Sequence, residues 1–159
     1  MPEQNNSATA AREIVMTRLF DAPRELVFKA WTDPKQVDQW WGPNGFRNET
    51  IEMDFRPGGM WRYVMHGPDG TDYDNRIVYH EVVASQRLVY THGSDVDNDP
   101  AAFEVTVTFE AQGNKTLLTM RLLFATIEQR EATVAFGAVE GGKQTLARLA
   151  EYINNEVKM

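Results

Sequence analysis

The sequence predicts an α+β domain, one antiparallel sheet with the helices segregated from most of its strands along the chain. Three observations predict it. Between residues 47 and 124, apolar and polar residues alternate in short runs separated by turns. From Thr126 the apolar spacing lengthens to three- and four-residue steps. Between the first strand and the alternating section stand two short segments with helix-start signals, each with an aspartate and a nearby proline.

Each element follows from its residues. Residues 1–11 are small and polar and are expected to form a disordered tail before a single domain over 12–159. In "REIVMTRLF", Ile14, Met16 and Phe20 make a loosely alternating first strand. In "DAPRELVFKAW", Asp21 can cap a helix and Pro23 sits in its first turn. In "DPKQVDQWW", Asp33 is the N-cap, Pro34 takes the first helical position, and Gln36 completes capping-box spacing. "GPNG" then ends the helices.

The middle section reads strand by strand. "ETIEMDF" sets Ile51, Met53 and Phe55 on one face, and "MWRYVM" sets Trp61, Tyr63 and Met65 on one face with Arg62 opposite. "RPGG" and "GPDG" are turns, and "RIVYHEVV" meets "RLVYTH" through Ala84, Ser85 and Gln86. After an acidic loop, "FEVTVTF" turns Phe103, Val105, Val107 and Phe109 inward, and "TLLTMRLLF" aligns Leu118, Met120, Leu122 and Phe124. The last helix is expected over about 127–156, with Gly142, Leu146, Leu149 and Ile153 on its stripe. At ~1.5 Å per residue it is long enough to cross the sheet.

Composition narrows the function classes. A chain of 159 residues with 42 % apolar side chains fills one core and is thin for two. Cysteine is absent, which removes disulfides and thiolate chemistry and suits a cytoplasmic setting. A formal charge of -7 opposes phosphate, so nucleic acid is not an expected partner. No apolar run approaches the ~20 residues that span a bilayer. "MPEQNNSATAAR" lacks the basic and apolar regions of a signal peptide, and no membrane partner is expected.

The three histidines are scattered. With "GPDG" closing a hairpin, His66 lies beside the turn while His80 lies opposite Gly59. Across the next turn His80 faces Tyr90 and His92 faces Val78. At ~3.3 Å per residue, His66 and His80 stand too far apart to share an ion. "DVDND" lacks the glycine and distant glutamate of a calcium loop, so it is read as solvated and no metal is expected. Phosphate loops, dinucleotide fingerprints and nucleophile elbows are missing, so no cofactor is expected either. Glu81 is the one weak catalytic candidate. If it shares the inward face of Tyr79, its carboxyl lies in an apolar cavity with a raised pKa. If the strand bulges there, Glu81 is solvated, and that reading is preferred.

The runs "DAPRELVFKAWTDPKQVDQWWGPNGF", "DFRPGGMWRYVMHGPDGTDYDNRIVYHEVVASQRLVYT" and "GGKQTLARLAEYI" together resemble the Hsp90-ATPase-activator-like branch of the START/Bet v 1-like (SRPBCC) superfamily. The resemblance spans about residues 12–156. It implies a helix-grip fold: a curved antiparallel sheet of about six or seven strands around a long C-terminal helix. Family members often carry a tryptophan where this chain has Gly142. The glycine implies either added cavity volume or closer helix–sheet packing.

One helix cannot fill the open end of a curved sheet, so large side chains or a cavity must do so. The expected lining is Trp41, Phe46, Trp61, Tyr63, Tyr79, Phe103, Val105 and Gly142. "WWGPNGF" is either a mobile lid over that cavity or a plug in the core. Three functions follow, in order: binding a small apolar molecule, partnering an Hsp90-type chaperone, and cyclase- or hydrolase-type catalysis by a cavity acid. The family's established activators carry a further N-terminal domain, which sets the chaperone reading second. A monomer or a homodimer fits each reading.

Overall fold

The computed structural model describes residues 9–157. Seven strands form one antiparallel sheet: β1 (Glu13–Phe20), β2 (Arg47–Met53), β3 (Met60–His66), β4 (Asp72–Val83), β5 (Arg87–Ser94), β6 (Phe103–Gln112) and β7 (Lys115–Leu123). Their spatial order is β1-β7-β6-β5-β4-β3-β2. Strands β2 to β7 are thus a continuous meander, and β1 closes on β7. The chain passes from one edge of the sheet to the other through α1 (Arg24–Thr32) and α2 (Pro34–Val37). Two helices end the chain, α3 (Ile127–Ala135) and α4 (Ala138–Tyr152), followed by a π-helical turn. This is the helix-grip architecture. The first eight residues of the expected tail lie outside the described residues, and Ala10–Arg12 form a 3-10 turn that leads into β1.

The alternation in the sequence becomes the buried face. Val105, Val107 and Phe109 on β6, Leu118 and Leu122 on β7, and Trp61 and Tyr63 on β3 are all buried. Each such aliphatic or aromatic side chain contributes about 1.5–3 kcal/mol on leaving water. From the other side, α1 supplies Val27, Phe28 and Trp31 and α4 supplies Leu146 and Leu149. The Asp33 carboxylate accepts from the Lys35 amide at 2.9 Å and caps α2 as expected. The Gln36 side chain does not complete a capping box; its Oε1 is buried without a partner. Pro23 takes the N-cap position of α1, which no side chain caps.

Two strand readings are corrected by β-bulges, where one extra residue slips the register. Ile51 is 52 % exposed because β2 bulges between Thr50 and Glu52. On β4 the predicted register holds from Val83 to Glu81, then shifts between Glu81 and Tyr79. His80 therefore stands in the bulge, bonded to Thr91 Oγ1 at 2.6 Å, and His92 faces Ile77 rather than Val78.

The single C-terminal helix is corrected too. It breaks at Phe136 and Gly137, where Gly137 adopts φ +101°. That left-handed conformation costs a glycine little and other residues roughly 1–2 kcal/mol. Thr126 caps α3 through the Gln129 amide at 3.0 Å.

Candidate functional site

All four tryptophans meet in one cluster. Trp31 packs edge-on against Trp40 and Trp41, with centroids 5.1 and 5.7 Å apart, and Trp41 continues to Trp61 at 5.0 Å. Each edge-to-face pair adds about 0.5–1.5 kcal/mol beyond burial. Trp40 is fully buried and donates its indole N–H to the Ala30 carbonyl at 3.1 Å. It is the plug of the "WWGPNGF" segment. Trp41 has a second role: its other side borders a cavity.

The cavity has a volume of about 670 Å³ and lies between the sheet and the N-terminal half of α4. Five strands contribute to its wall: Met16 from β1, Leu122 and Met120 from β7, Phe103 from β6, His92 from β5 and Met65 from β3. Trp31, Trp41 and the 42–46 loop close one side, and residues 136–146 close the other. The wall is overwhelmingly apolar, as expected where a curved sheet outgrows its helix. Methionines on three strands give it an adaptable surface.

The loop is tied to α4 by polar bonds. Arg148 Nη1 donates to the carbonyls of Gly42 at 2.7 Å and Pro43 at 2.9 Å. The Asn44 amide donates to Gln144 Oε1 at 3.1 Å. At the rim stands Phe136, 86 % exposed, on the break between α3 and α4.

Of the expected lining, Trp41, Phe46, Phe103 and Gly142 border the cavity. Trp61, Tyr63, Tyr79 and Val105 do not; they are buried in the solid part of the core. The correction has a physical cause. Strand parity fixes the face of a side chain, but position along the strand decides whether a helix or a void covers it. Phe55 meets Tyr79 with ring centroids 5.0 Å apart, and Trp41 and Tyr63 cover Trp61. Gly142 serves both readings made of it. A Cβ there would meet Met16 Sδ at 2.6 Å, so helix and strand approach closely, yet the residue also borders the cavity.

Glu81 is outside the cavity. It is exposed at the β4 bulge and its Oε1 accepts from Arg87 Nε at 2.7 Å. The acidic 93–100 segment is structural: Asp95 pairs with Arg62 and Arg76, which hold its carboxyl below the usual range. No group of three or more metal-ligating side chains occurs among the described residues.

Sequence reasoning missed His92. Its Nε2 lies 2.7 Å from the Tyr63 hydroxyl, and its ring stacks obliquely near Phe103 at 5.1 Å. Burial pushes the imidazole down to about 4, so it is neutral at neutral pH. Burial also drives the Tyr63 phenol well above its usual value. The signal was available: Leu88, Tyr90 and His92 recur every second residue, which sets His92 on the inner face.

Residues 21–154 match the profile of the family described as Activator of Hsp90 ATPase homolog 1-like protein. Among solved structures, a protein from Nitrosomonas europaea is similar with a TM-score of 0.85 and 24 % identity, over 94 % of this chain and 99 % of that one. A protein from Arthrobacter aurescens gives 0.83 and 26 %, over 89 % and 86 %. The AHSA1 protein from Silicibacter pomeroyi gives 0.71 and 26 %, over 91 % and 99 %. Among curated proteins none matches the chain. Among the described residues no helix is long and apolar enough to cross a membrane.

Proposed function

The chain belongs to the Activator of Hsp90 ATPase homolog 1-like family, and from that premise we propose that it binds a small, largely apolar molecule between its sheet and α4. The observation that carries this is the apolar cavity of about 670 Å³. Close-packed interiors do not leave such a space unused without cost, and sites for small molecules commonly span about 300–1,000 Å³. Trp41, Phe46, Phe103 and Gly142 are its contact residues from the sequence, joined by Met16, Met65, Met120 and His92. The absence of cysteine supports a cytoplasmic setting. Native mass spectrometry tests the reading and reports the oligomeric state with it. A retained small molecule, or uptake of one equivalent of an added apolar compound, is expected. A protein that neither retains nor takes up any such compound contradicts it.

The family description favours a second reading, stimulation of an Hsp90-type ATPase. It places the working surface outside the domain. An ATPase assay with the Hsp90 of the same cell, with and without this protein, decides it: an unchanged rate removes the reading.

A further inference from the structure

We infer that the cavity selects a neutral molecule, apolar over most of its length, that carries one hydroxyl, and that His92 reads this hydroxyl while Tyr63 positions His92. The inference rests on the cavity's being a binding site.

The argument starts from the inventory of the wall. Among the described residues its ionisable side chains are His92 and Glu140. Glu140 is exposed in the first turn of α4, at the mouth. Arg148 lies outside the lining and spends Nη1 on two loop carbonyls. An anion drawn inside would lose its water and meet no cation, which is costly. It would also approach a protein of formal charge -7 past the Glu140 carboxylate. Among the polar groups from α4, Gln144 Oε1 and the Thr145 hydroxyl proton are already engaged, by the Asn44 amide and the Gly141 carbonyl.

That leaves His92. Its Nε2 is engaged by the Tyr63 hydroxyl at 2.7 Å, while Nδ1 takes no hydrogen bond among the described residues. A neutral imidazole carries one proton, and a phenol hydroxyl either donates or accepts. The Tyr63 contact therefore fixes the ring's orientation and couples its tautomer to the phenol's role as donor or acceptor. Nδ1 is then one donor or one acceptor, not both. A ligand hydroxyl complements either state, being donor and acceptor in one group. Phe103, its partner across β5 and β6, offers only apolar contact beside it. A second polar group on the ligand would find no further polar side chain on the sheet side of the wall among the described residues.

The experiment is displacement of bound Nile red by n-octanol, n-octane and octanoate, with wild type, His92→Phe and Tyr63→Phe. In His92→Phe, octanol affinity is expected to fall about five- to tenfold while octane affinity stays within about twofold. Octanoate is expected to bind wild type at least about tenfold more weakly than octanol. Tyr63→Phe removes only the phenol oxygen. It should weaken octanol severalfold, spare octane, and shift the His92 ring nitrogen signals in NMR as the tautomer loses its partner. Equal factors for octanol and octane in His92→Phe overturn the role of His92. Octanoate binding as tightly as octanol overturns the neutral selection. Unchanged ring signals and octanol affinity in Tyr63→Phe overturn its positioning role. Absence of any binding, Nile red included, instead contradicts the cavity's function itself.

Discussion

The Tyr63 hydroxyl lies 2.7 Å from His92 Nε2, and this contact joins the solid aromatic core to the wall of the cavity. A first prediction follows from the environment of the ring. Burial holds folded His92 neutral down to about pH 4, whereas an unfolded histidine titrates near ~6.5. The unfolded chain thus binds the extra proton first as pH falls. The contribution is intact above pH ~6.5, and stability declines down to about 4, where the loss levels off. Because the ring is only partly buried, the loss is on the order of 1–3 kcal/mol. Urea titrations across this window should show the slope, and His92→Phe should flatten it.

His66 acts in the opposite direction. Glu49 at 2.9 Å and Asp72 at 2.7 Å raise its pKa, and Arg47 and desolvation oppose them. Its contribution is complete below pH ~6.5 and is lost as pH rises through the raised folded value. His66→Gln should remove a shallow alkaline decline in stability while leaving the acid limb unchanged. Denaturation midpoints measured above neutrality check this.

Tyr90 is buried, with its hydroxyl lacking any partner in the described residues. An unsatisfied buried hydroxyl costs about 1–3 kcal/mol. Tyr90→Phe removes it without opening a void, so the denaturation midpoint should rise or hold. A loss of more than about 1 kcal/mol would show that the hydroxyl is bonded in solution.

Arg148 holds the 42–46 loop by two bonds to its carbonyls. Arg148→Met keeps much of the stem's packing and removes both. Charged hydrogen bonds contribute about 1.5–3 kcal/mol, less where partly exposed. Amide exchange at Asn44 and Phe46 should accelerate, while exchange in β6 stays slow. Equal acceleration everywhere would contradict a local tie.

The strands were legible because alternation is a local signal. "FEVTVTF" predicts the β6 face residue by residue, and the β3–β4 register follows from the turn. The bulges at Ile51 and His80 were not legible, since a slip of one residue leaves the local pattern intact. Any glycine weakens a helix interior, but the spacing of the apolar stripe does not show that Gly137 turns left-handed and splits the helix. The site was half legible for a related reason. Phe103 and Val105 share a face and a strand, yet only Phe103 reaches the void. Where helix cover ends is a property of the packed whole.

The most direct test of the account fills the cavity. Gly142 borders it, and a Cβ added there meets only the flexible end of Met16. Nile red is titrated into wild type and Gly142→Trp, with thermal denaturation run alongside. The account predicts saturable binding by wild type and loss of that binding in a variant that still unfolds cooperatively. Equal binding by both proteins, or none by the wild type, would contradict it.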